Sequence, residues 1–200
     1  DTVSVDGTFV DFSGKDNGLP TGSASFSPVG PNGFYGKQDS DDLIATHFEL
    51  LFIEAEAALR SNNTGRAATA LNEALSSQIN LVSNAGVDHA AAYFGIDTAV
   101  AQSAIDVRVN AYINANSLSA ANISMEHIMT EKYKAMFCIN TESWVDVRRH
   151  DYQYPNYLAL PTNAVQNDFV RRGLYPQSEI QNNTSTPTGV TMLNKLWWDQ

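Results

Sequence analysis

Aromatic residues stand among glycines, prolines and polar residues in two segments of the 200-residue sequence. The first segment lies near the N-terminus and holds Phe26, Phe34 and Tyr35, and the second holds Tyr152 and Tyr154. Aromatic faces stack on the apolar faces of sugar rings, while neighbouring hydroxyl, amide and carboxylate groups hydrogen-bond the sugar hydroxyls. The residue types in both segments therefore favour carbohydrate binding.

The same aromatic side chains have a second interpretation, in which they cover the ends of a helical core. The sequence leaves both interpretations open, because a half-buried aromatic residue in a loop serves either purpose. We take five residues as the candidate ligand-binding set, namely Phe26, Phe34, Tyr35, Tyr152 and Tyr154.

Motifs for catalysis and for metal binding are missing from the sequence. It contains no His-Glu-x-x-His, no P-loop, no Gly-x-Ser-x-Gly and no Gly-x-Gly-x-x-Gly pattern. A single cysteine, Cys138, excludes an intramolecular disulfide and a multi-cysteine zinc site. Its apolar neighbours predict a buried and unreactive thiol. We therefore expect no enzyme activity, no metal and no cofactor.

The charge balance narrows the choice of partners. The formal net charge is −10, and 43% of the residues are hydrophobic. An acidic chain lacks the basic footprint of a nucleic-acid-binding protein, and it is not drawn to anionic lipid by its charge. No apolar run reaches the roughly 18 residues that a membrane-spanning helix needs. The composition is compatible with neutral ligands such as sugars.

Glycine and proline divide the chain into three segments. Residues 1–40 are rich in glycine, residues 41–150 contain no proline, and residues 151–200 contain four prolines. Apolar residues at helical spacing predict helices over about 40–60, 65–82, 98–114, 120–137 and 141–150. Ser40 and Asp41 are the predicted N-terminal caps of the first helix, and Asp97 is the predicted cap of the third. The sequence therefore predicts a mainly α domain, with a loop segment before its helical core and an irregular C-terminal segment packed on that core.

The first two predicted helices have the pattern of a tetratricopeptide-type hairpin. Small alanines follow one another through the first helix from Ala55 and through the second from Ala67, with a polar turn between the helices. Small residues at a crossing point let two helices approach closely. One such hairpin cannot bury its own face, so it needs a partner surface from further helices.

The fifth predicted helix carries Trp144 and the pair Arg148 and Arg149. A buried tryptophan can hold a short helix in place, so we expect Trp144 to anchor the core, with a sugar-stacking role as the alternative. Arginine binds carboxylates and main-chain carbonyls through a planar fork. We expect both arginines to form a buried or half-buried ion network with Asp146, and one of them to hold the loop at residues 175–179, with Glu142 and Glu179 as candidate partners. The alternative is that they form an anion site for an acidic sugar or a peptide carboxylate.

Several ordered motifs resemble the SusD/RagB family of outer-membrane nutrient-binding lipoproteins. They lie at residues 48–57 (FELLFIEAEA), 131–137 (EKYKAMF), 141–149 (TESWVDVRR), 170–179 (VRRGLYPQSE) and 196–199 (LWWD). Each motif alone is weak, but together they span most of residues 41–200 in the order that the family has them.

The resemblance implies a cell-surface protein of the outer membrane that captures oligosaccharide. It also implies a SusC-like TonB-dependent transporter as the partner that takes up the sugar. Members of the family are longer and carry a lipid anchor on an N-terminal cysteine, so we expect this chain to be the C-terminal portion of such a lipoprotein. Two alternatives stay open, namely an oligopeptide ligand and a helical scaffold that binds another protein and no small ligand.

Overall fold

The computed structural model describes residues 34–139, 141–160 and 168–199. Over these ranges it contains six helices and no strand, which confirms the mainly α prediction. The helices are α1 (His47–Arg60), α2 (Thr64–Phe94), α3 (Thr98–Asn116), α4 (Met125–Ala135), α5 (Glu142–Arg149) and α6 (Gln177–Asn182). The described residues divide into a first unit that ends at Ser143 and a second unit that begins at Trp144.

Helices α1 and α2 form a hairpin whose inner faces match the predicted pattern. Phe52 and Ala55 of α1 are completely buried, and so are Ala67, Ala70, Leu71 and Ala74 of α2. The alanines lie at helical spacing and permit the close approach that the sequence predicts. The likeness to a tetratricopeptide unit stays a prediction, because the α-hairpin geometry is common to many helical folds.

Helix α1 begins at His47, seven residues later than the sequence predicts. Thr46 caps it by accepting a hydrogen bond from the Glu49 backbone N–H at 3.2 Å. Ser40, the predicted cap, instead donates its hydroxyl to the Phe34 carbonyl at 2.9 Å. Ser40 therefore stabilises the loop before α1. A serine hydroxyl can donate to a nearby main-chain carbonyl as readily as it can accept from a helix N-terminus.

Helix α2 runs to Phe94, twelve residues beyond its predicted end. The helix continues through Gly86, which lies in the face of α2 that packs on α3. A Cβ atom at this position would lie 3.5 Å from the Ile105 side chain. The helix ends at Gly95, whose φ of 62° is the left-handed conformation that glycine adopts without steric cost.

The cap predicted for α3 is confirmed. Asp97 accepts hydrogen bonds from the backbone N–H groups of Ala99 and Val100. Helix α4 is shorter than predicted, because Ser124 caps it and the residues before Ser124 form a turn. Helix α4 packs on both α1 and α2, so it supplies a partner surface that the hairpin needs.

A side-chain amide joins the end of α3 to α2. The Asn72 amide group donates to the Leu118 carbonyl at 3.0 Å and accepts from the Leu118 backbone N–H at 3.0 Å. Both bonds are half-buried, so water replaces them poorly. The Asn72 side chain thus satisfies both main-chain hydrogen-bonding groups of Leu118.

Replacement of Asn72 by leucine is expected to lower the free energy of unfolding by about 1–3 kcal/mol, because it leaves both Leu118 main-chain groups unpaired. Far-ultraviolet circular dichroism during urea unfolding measures this change. The control is Thr69→Ala, also in α2, since the exposed Thr69 hydroxyl bonds only within its own helix turn. Equal stability of the two variants would contradict the role given to Asn72.

The second unit contains α5 from Trp144 onward, α6 and much irregular chain. Its segments are joined by main-chain bonds, since the backbone N–H groups of Arg171 and Arg172 both donate to the Met192 carbonyl, at 2.8 and 3.3 Å. Helix α5 matches its prediction closely, whereas α6 was not predicted. No helix in the described ranges combines the length and apolar character needed to cross a membrane.

Two expectations about burial are wrong. The Cys138 thiol is exposed, and the residue has a φ of 57°, which shows that the chain turns there after α4 has ended. Trp144 is 42% exposed, so it does not anchor a core. It packs instead on the guanidinium group of Arg148, one helical turn later.

Candidate functional site

Three aromatic residues form one cluster in the first unit, which we call the Tyr35 cluster. The Tyr35 ring lies edge-on to Phe34 at 4.8 Å between ring centroids and edge-on to Phe137 at 5.4 Å. Phe34 and Tyr35 are half-buried and Phe137 is 48% exposed. Edge-to-face contacts of this kind hold the rings in fixed orientations. The cluster thus offers aromatic surface to a ligand without needing to rearrange.

The hydroxyl group of Tyr35 is tied to the helical hairpin. The pKa of Tyr35 is raised above its ordinary value, because burial raises it more than a hydrogen bond with the Gln78 side chain of α2 lowers it. The hydroxyl therefore stays protonated at neutral pH and keeps its capacity to hydrogen-bond. An aromatic ring with a fixed hydroxyl and a neighbouring amide offers both a stacking face and hydrogen-bonding groups to a small ligand.

The other two candidates described by the structure belong to the second unit. Asp151 and Tyr152 both have left-handed backbone conformations, with φ of 54° and 59°. They turn the chain sharply after α5, and the Tyr152 ring stacks on Phe169 with 4.3 Å between centroids and 6° between planes. The Tyr152 hydroxyl donates to the Val170 carbonyl at 2.5 Å. Burial raises the pKa of this hydroxyl.

Tyr154 is half-buried, and its ring lies 5.6 Å from the His150 ring. The structure thus groups Phe34 with Tyr35 in the first unit, and it holds Tyr152 and Tyr154 in the second. Phe26 lies outside the described residues. Whether any of the five contacts a ligand stays a prediction.

An ion network fixes the irregular chain of the second unit. Arg171 is buried, and it donates to Asp199 at 3.1 Å and to Asp151 at 2.5 Å. Lys195 lies 3.1 Å from the same Asp151 carboxylate. Asp199 is only 1% exposed, so the two charges are buried together. The network joins three segments that are distant in the sequence.

The arginines of α5 bind the predicted Asp146 carboxylate and a main-chain carbonyl. Arg148 donates to the Arg171 carbonyl at 2.6 Å, four residues before the loop at 175–179, and Arg149 donates to Asp146 at 2.7 Å. Glu179, which lies in α6, accepts a hydrogen bond from the side-chain amide of Asn183, the C-cap residue of the same helix. The expectation of an arginine tie to irregular chain is right, but the attachment point is wrong.

The Asp151 carboxylate makes the stability of the second unit dependent on pH. Hydrogen bonds from Lys195 and Arg171 hold the pKa of Asp151 below its ordinary value. A depressed pKa stabilises the fold above the unfolded value of about 3.9, and this stabilisation is lost as the pH falls through the folded value. Asp151 is 50% exposed, so water screens its ion pairs and limits their contribution to about 1 kcal/mol or less.

Replacement of Asp151 by asparagine is therefore expected to lower stability modestly at pH 7, and this loss is expected to shrink progressively as the pH falls below about 3.9. Denaturation followed by tryptophan fluorescence measures this in the second unit, because all three tryptophans lie there. The control is Asp39→Asn, whose carboxylate is 87% exposed and 3.8 Å from Lys37. A stability difference that is independent of pH would contradict the ion-pair assignment.

Other residues in the structure were not predicted as candidates. Phe137 and Phe169 complete the two aromatic groups, and Trp197 is 84% exposed. Sequence spacing could have paired Trp144 with Arg148, because residues four apart share a helix face. Among the described residues no group of three or more His, Cys, Asp or Glu side chains is placed to hold a metal ion.

Comparison with known proteins gives one match. A SusD-like family model, described as starch-binding and associating with the outer membrane, matches residues 4–176. No curated protein and no solved structure matches the chain. The matched range covers most of the sequence, including the Tyr35 cluster, α5 and the stacked pair of Tyr152 and Phe169. The chain therefore belongs to the SusD-like family of starch-binding, outer-membrane-associating proteins.

Proposed function

We propose that this chain captures neutral oligosaccharides of the starch type at the outer membrane and does no chemistry on them. The observation that carries this proposal is the family match over residues 4–176, whose description names starch binding. The net charge of −10 supports a neutral ligand, because it repels an acidic saccharide. In this proposal the captured sugar passes to a SusC-like TonB-dependent transporter, and a lipid anchor holds the full-length protein at the cell surface.

Within this proposal, the Tyr35 cluster is the first candidate for contact with the sugar. Its rings are fixed by edge contacts, its hydroxyl is oriented by Gln78, and Phe137 is half-exposed. A site that is already ordered loses little conformational entropy on binding, so weak stacking contacts suffice. Tyr152 and Tyr154 are proposed as contacts in the second unit, and Phe26 as a further one.

An oligopeptide is the alternative ligand, since tyrosine hydroxyls and ring faces also bind peptides. A protein-binding scaffold is the second candidate function. The observation that favours it is an exposed apolar stripe on α1, where Leu50 and Ile53 lie three residues apart and are 62% and 49% exposed. A scaffold of this kind would bind a partner through α1 and would not bind sugar.

Affinity electrophoresis tests the proposal. The protein is run through native gels with and without soluble starch, beside a reference protein that does not bind starch. Retardation by starch alone, reversed by free maltoheptaose, is the expected result. Equal mobility in both gels would favour the peptide or scaffold alternative.

A further inference from the structure

Two buried arginines of the second unit are joined to each other and flanked by aromatic rings. The Arg148 side chain donates to the Arg171 carbonyl at 2.6 Å, and the two residues are 5% and 7% exposed. The Arg148 guanidinium lies 3.7 Å from the centroid of the Trp144 ring, and that of Arg171 lies 5.1 Å from the centroid of the Tyr152 ring. Two cations beside two rings suit a ligand that has both an aromatic and an anionic group.

A tryptophan and an aspartate from residues 193–199 of the same unit occupy these two arginines. The Arg148 guanidinium lies 4.6 Å from the centroid of the Trp198 ring, and the Asp199 carboxylate accepts a hydrogen bond from Arg171 at 3.1 Å. The Asp199 backbone N–H donates to the Leu196 carbonyl at 3.0 Å, so a turn presents both side chains. Trp198 is half-buried and Asp199 is buried. The ring and the carboxylate of adjacent residues therefore engage the arginines as a bound ligand would.

The segment of residues 193–199 has no helix of its own, and it follows a largely exposed stretch at residues 183–190. Side chains make its contacts with the start of the second unit. Besides those of Trp198 and Asp199, the Lys195 ammonium lies 3.1 Å from the Asp151 carboxylate. A segment that is held by side chains and follows exposed chain can leave its place without the unfolding of a helix.

The carboxylate of Asp199 is only half satisfied where it lies. One of its oxygens accepts from Arg171, whereas the other is buried and has no hydrogen-bond partner in the described part of the chain. A buried oxygen without a donor has lost its hydration and gained no bond in return, which weakens the hold of the segment. Arg171 also donates to Asp151, so it keeps an anionic partner when Asp199 leaves.

We propose that Arg148 and Arg171 form a binding site for a peptide in which an acidic residue follows an aromatic one, and that Trp198 and Asp199 fill this site as an internal ligand. We call it the arginine-pair site, and it is independent of sugar capture. Because the internal ligand is tethered, its effective concentration is about millimolar. An external peptide of the same chemistry therefore binds well only when the internal segment has left the site.

Binding of a synthetic peptide to a variant that lacks the internal ligand tests the site. The peptide is LNKLWWD, the sequence of residues 193–199, with both ends blocked so that only its side chains are charged. The variant is the 200-residue chain with Trp198→Ala and Asp199→Ala. By fluorescence anisotropy, the labelled peptide is expected to bind this variant at least about tenfold more tightly than the unaltered chain, where the tethered segment competes. The control peptide carries Trp198→Ala and Asp199→Asn, and we expect it not to bind.

Two further measurements apply even if the double variant does not fold. The single variant Asp199→Asn keeps the Trp198 ring and removes only the charge, and it is expected to bind the peptide more tightly than the unaltered chain does. Its melting temperature is expected to rise with peptide concentration, because the peptide binds the folded state. In the unaltered chain, the peptide is expected to bind only at about millimolar concentration, where it matches the tethered segment.

Any of three results overturns the arginine-pair site. If the control peptide binds as well as LNKLWWD does, the contact does not depend on the ring and the carboxylate. If LNKLWWD binds the unaltered chain as tightly as it binds the variants, it occupies a different surface. If it binds neither a folded variant nor the unaltered chain, residues 193–199 pack only as part of the continuous chain.

Discussion

Replacement of Arg171 by methionine is expected to lower the free energy of unfolding of the second unit by about 3–5 kcal/mol. Arg171 is 7% exposed and neutralises Asp199, which is 1% exposed. The second carboxylate oxygen of Asp199 is buried without a hydrogen-bond partner in the structure, so Arg171 is the main compensation for this charge. Without the guanidinium, a carboxylate stays buried and uncompensated.

Tryptophan fluorescence during urea unfolding follows this change, since all three tryptophans lie in the second unit. The matched control is the neighbouring Arg172→Met. The Arg172 side chain donates to the carbonyl of the next residue, Gly173, in an exposed hydrogen bond, so its loss is expected to cost little. The double variant Arg171→Met, Asp199→Asn is expected to regain part of the loss, since it removes the buried charge. Equal stability of the Arg171 and Arg172 variants would show that the ion network does not hold the unit together.

Replacement of Phe34 by alanine is expected to weaken maltoheptaose binding at least tenfold, or by about 1.4 kcal/mol. The phenylalanine is half-buried and contacts the Tyr35 ring at 4.8 Å, so its removal deletes stacking surface and loosens the ring beside it. The melting temperature is expected to change by less than about 4 °C, which corresponds to about 1 kcal/mol for a chain of this size. Calorimetric titration measures the affinity.

Two controls accompany this variant. Phe94→Ala removes a phenylalanine that is 56% exposed at the end of α2, and it should bind as the unaltered chain does. Tyr35→Phe keeps the ring but removes the hydrogen bond with Gln78, so it separates stacking from hydroxyl contacts. If Phe34→Ala loses stability and affinity together, Phe34 is a core residue, and the first candidate contact is wrong.

The helices could be predicted from the sequence because their signals are local. The stretch without proline, the alanine pattern of the hairpin and the Asp97 cap each act within a few residues, and each is confirmed. Two predicted helix boundaries, the start of α1 and the end of α2, are wrong, because the contacts that decide them are not visible in a local sequence pattern. Ser40 bonds to Phe34 rather than capping α1, and α2 continues past its predicted end through Gly86, which lies beside Ile105 of α3.

The organisation of the second unit could not be predicted in the same way. Its stability comes from pairs that are distant in sequence, such as Arg171 with Asp199 and Arg148 with the Arg171 carbonyl. Arginine has many potential acceptors, and only the fold selects one of them. The exposure of Trp144 is likewise a property of the folded chain, although its spacing from Arg148 was already visible in the sequence.

The most direct test of sugar capture is calorimetric titration of the 200-residue chain with three ligands in parallel. They are maltoheptaose, an acidic oligosaccharide of equal length and a mixture of oligopeptides. We expect saturable binding of maltoheptaose alone, with the sugar recovered intact after the titration. Binding of the peptides but not of maltoheptaose, or release of shorter sugars during the titration, would show that the chain does not simply capture oligosaccharide.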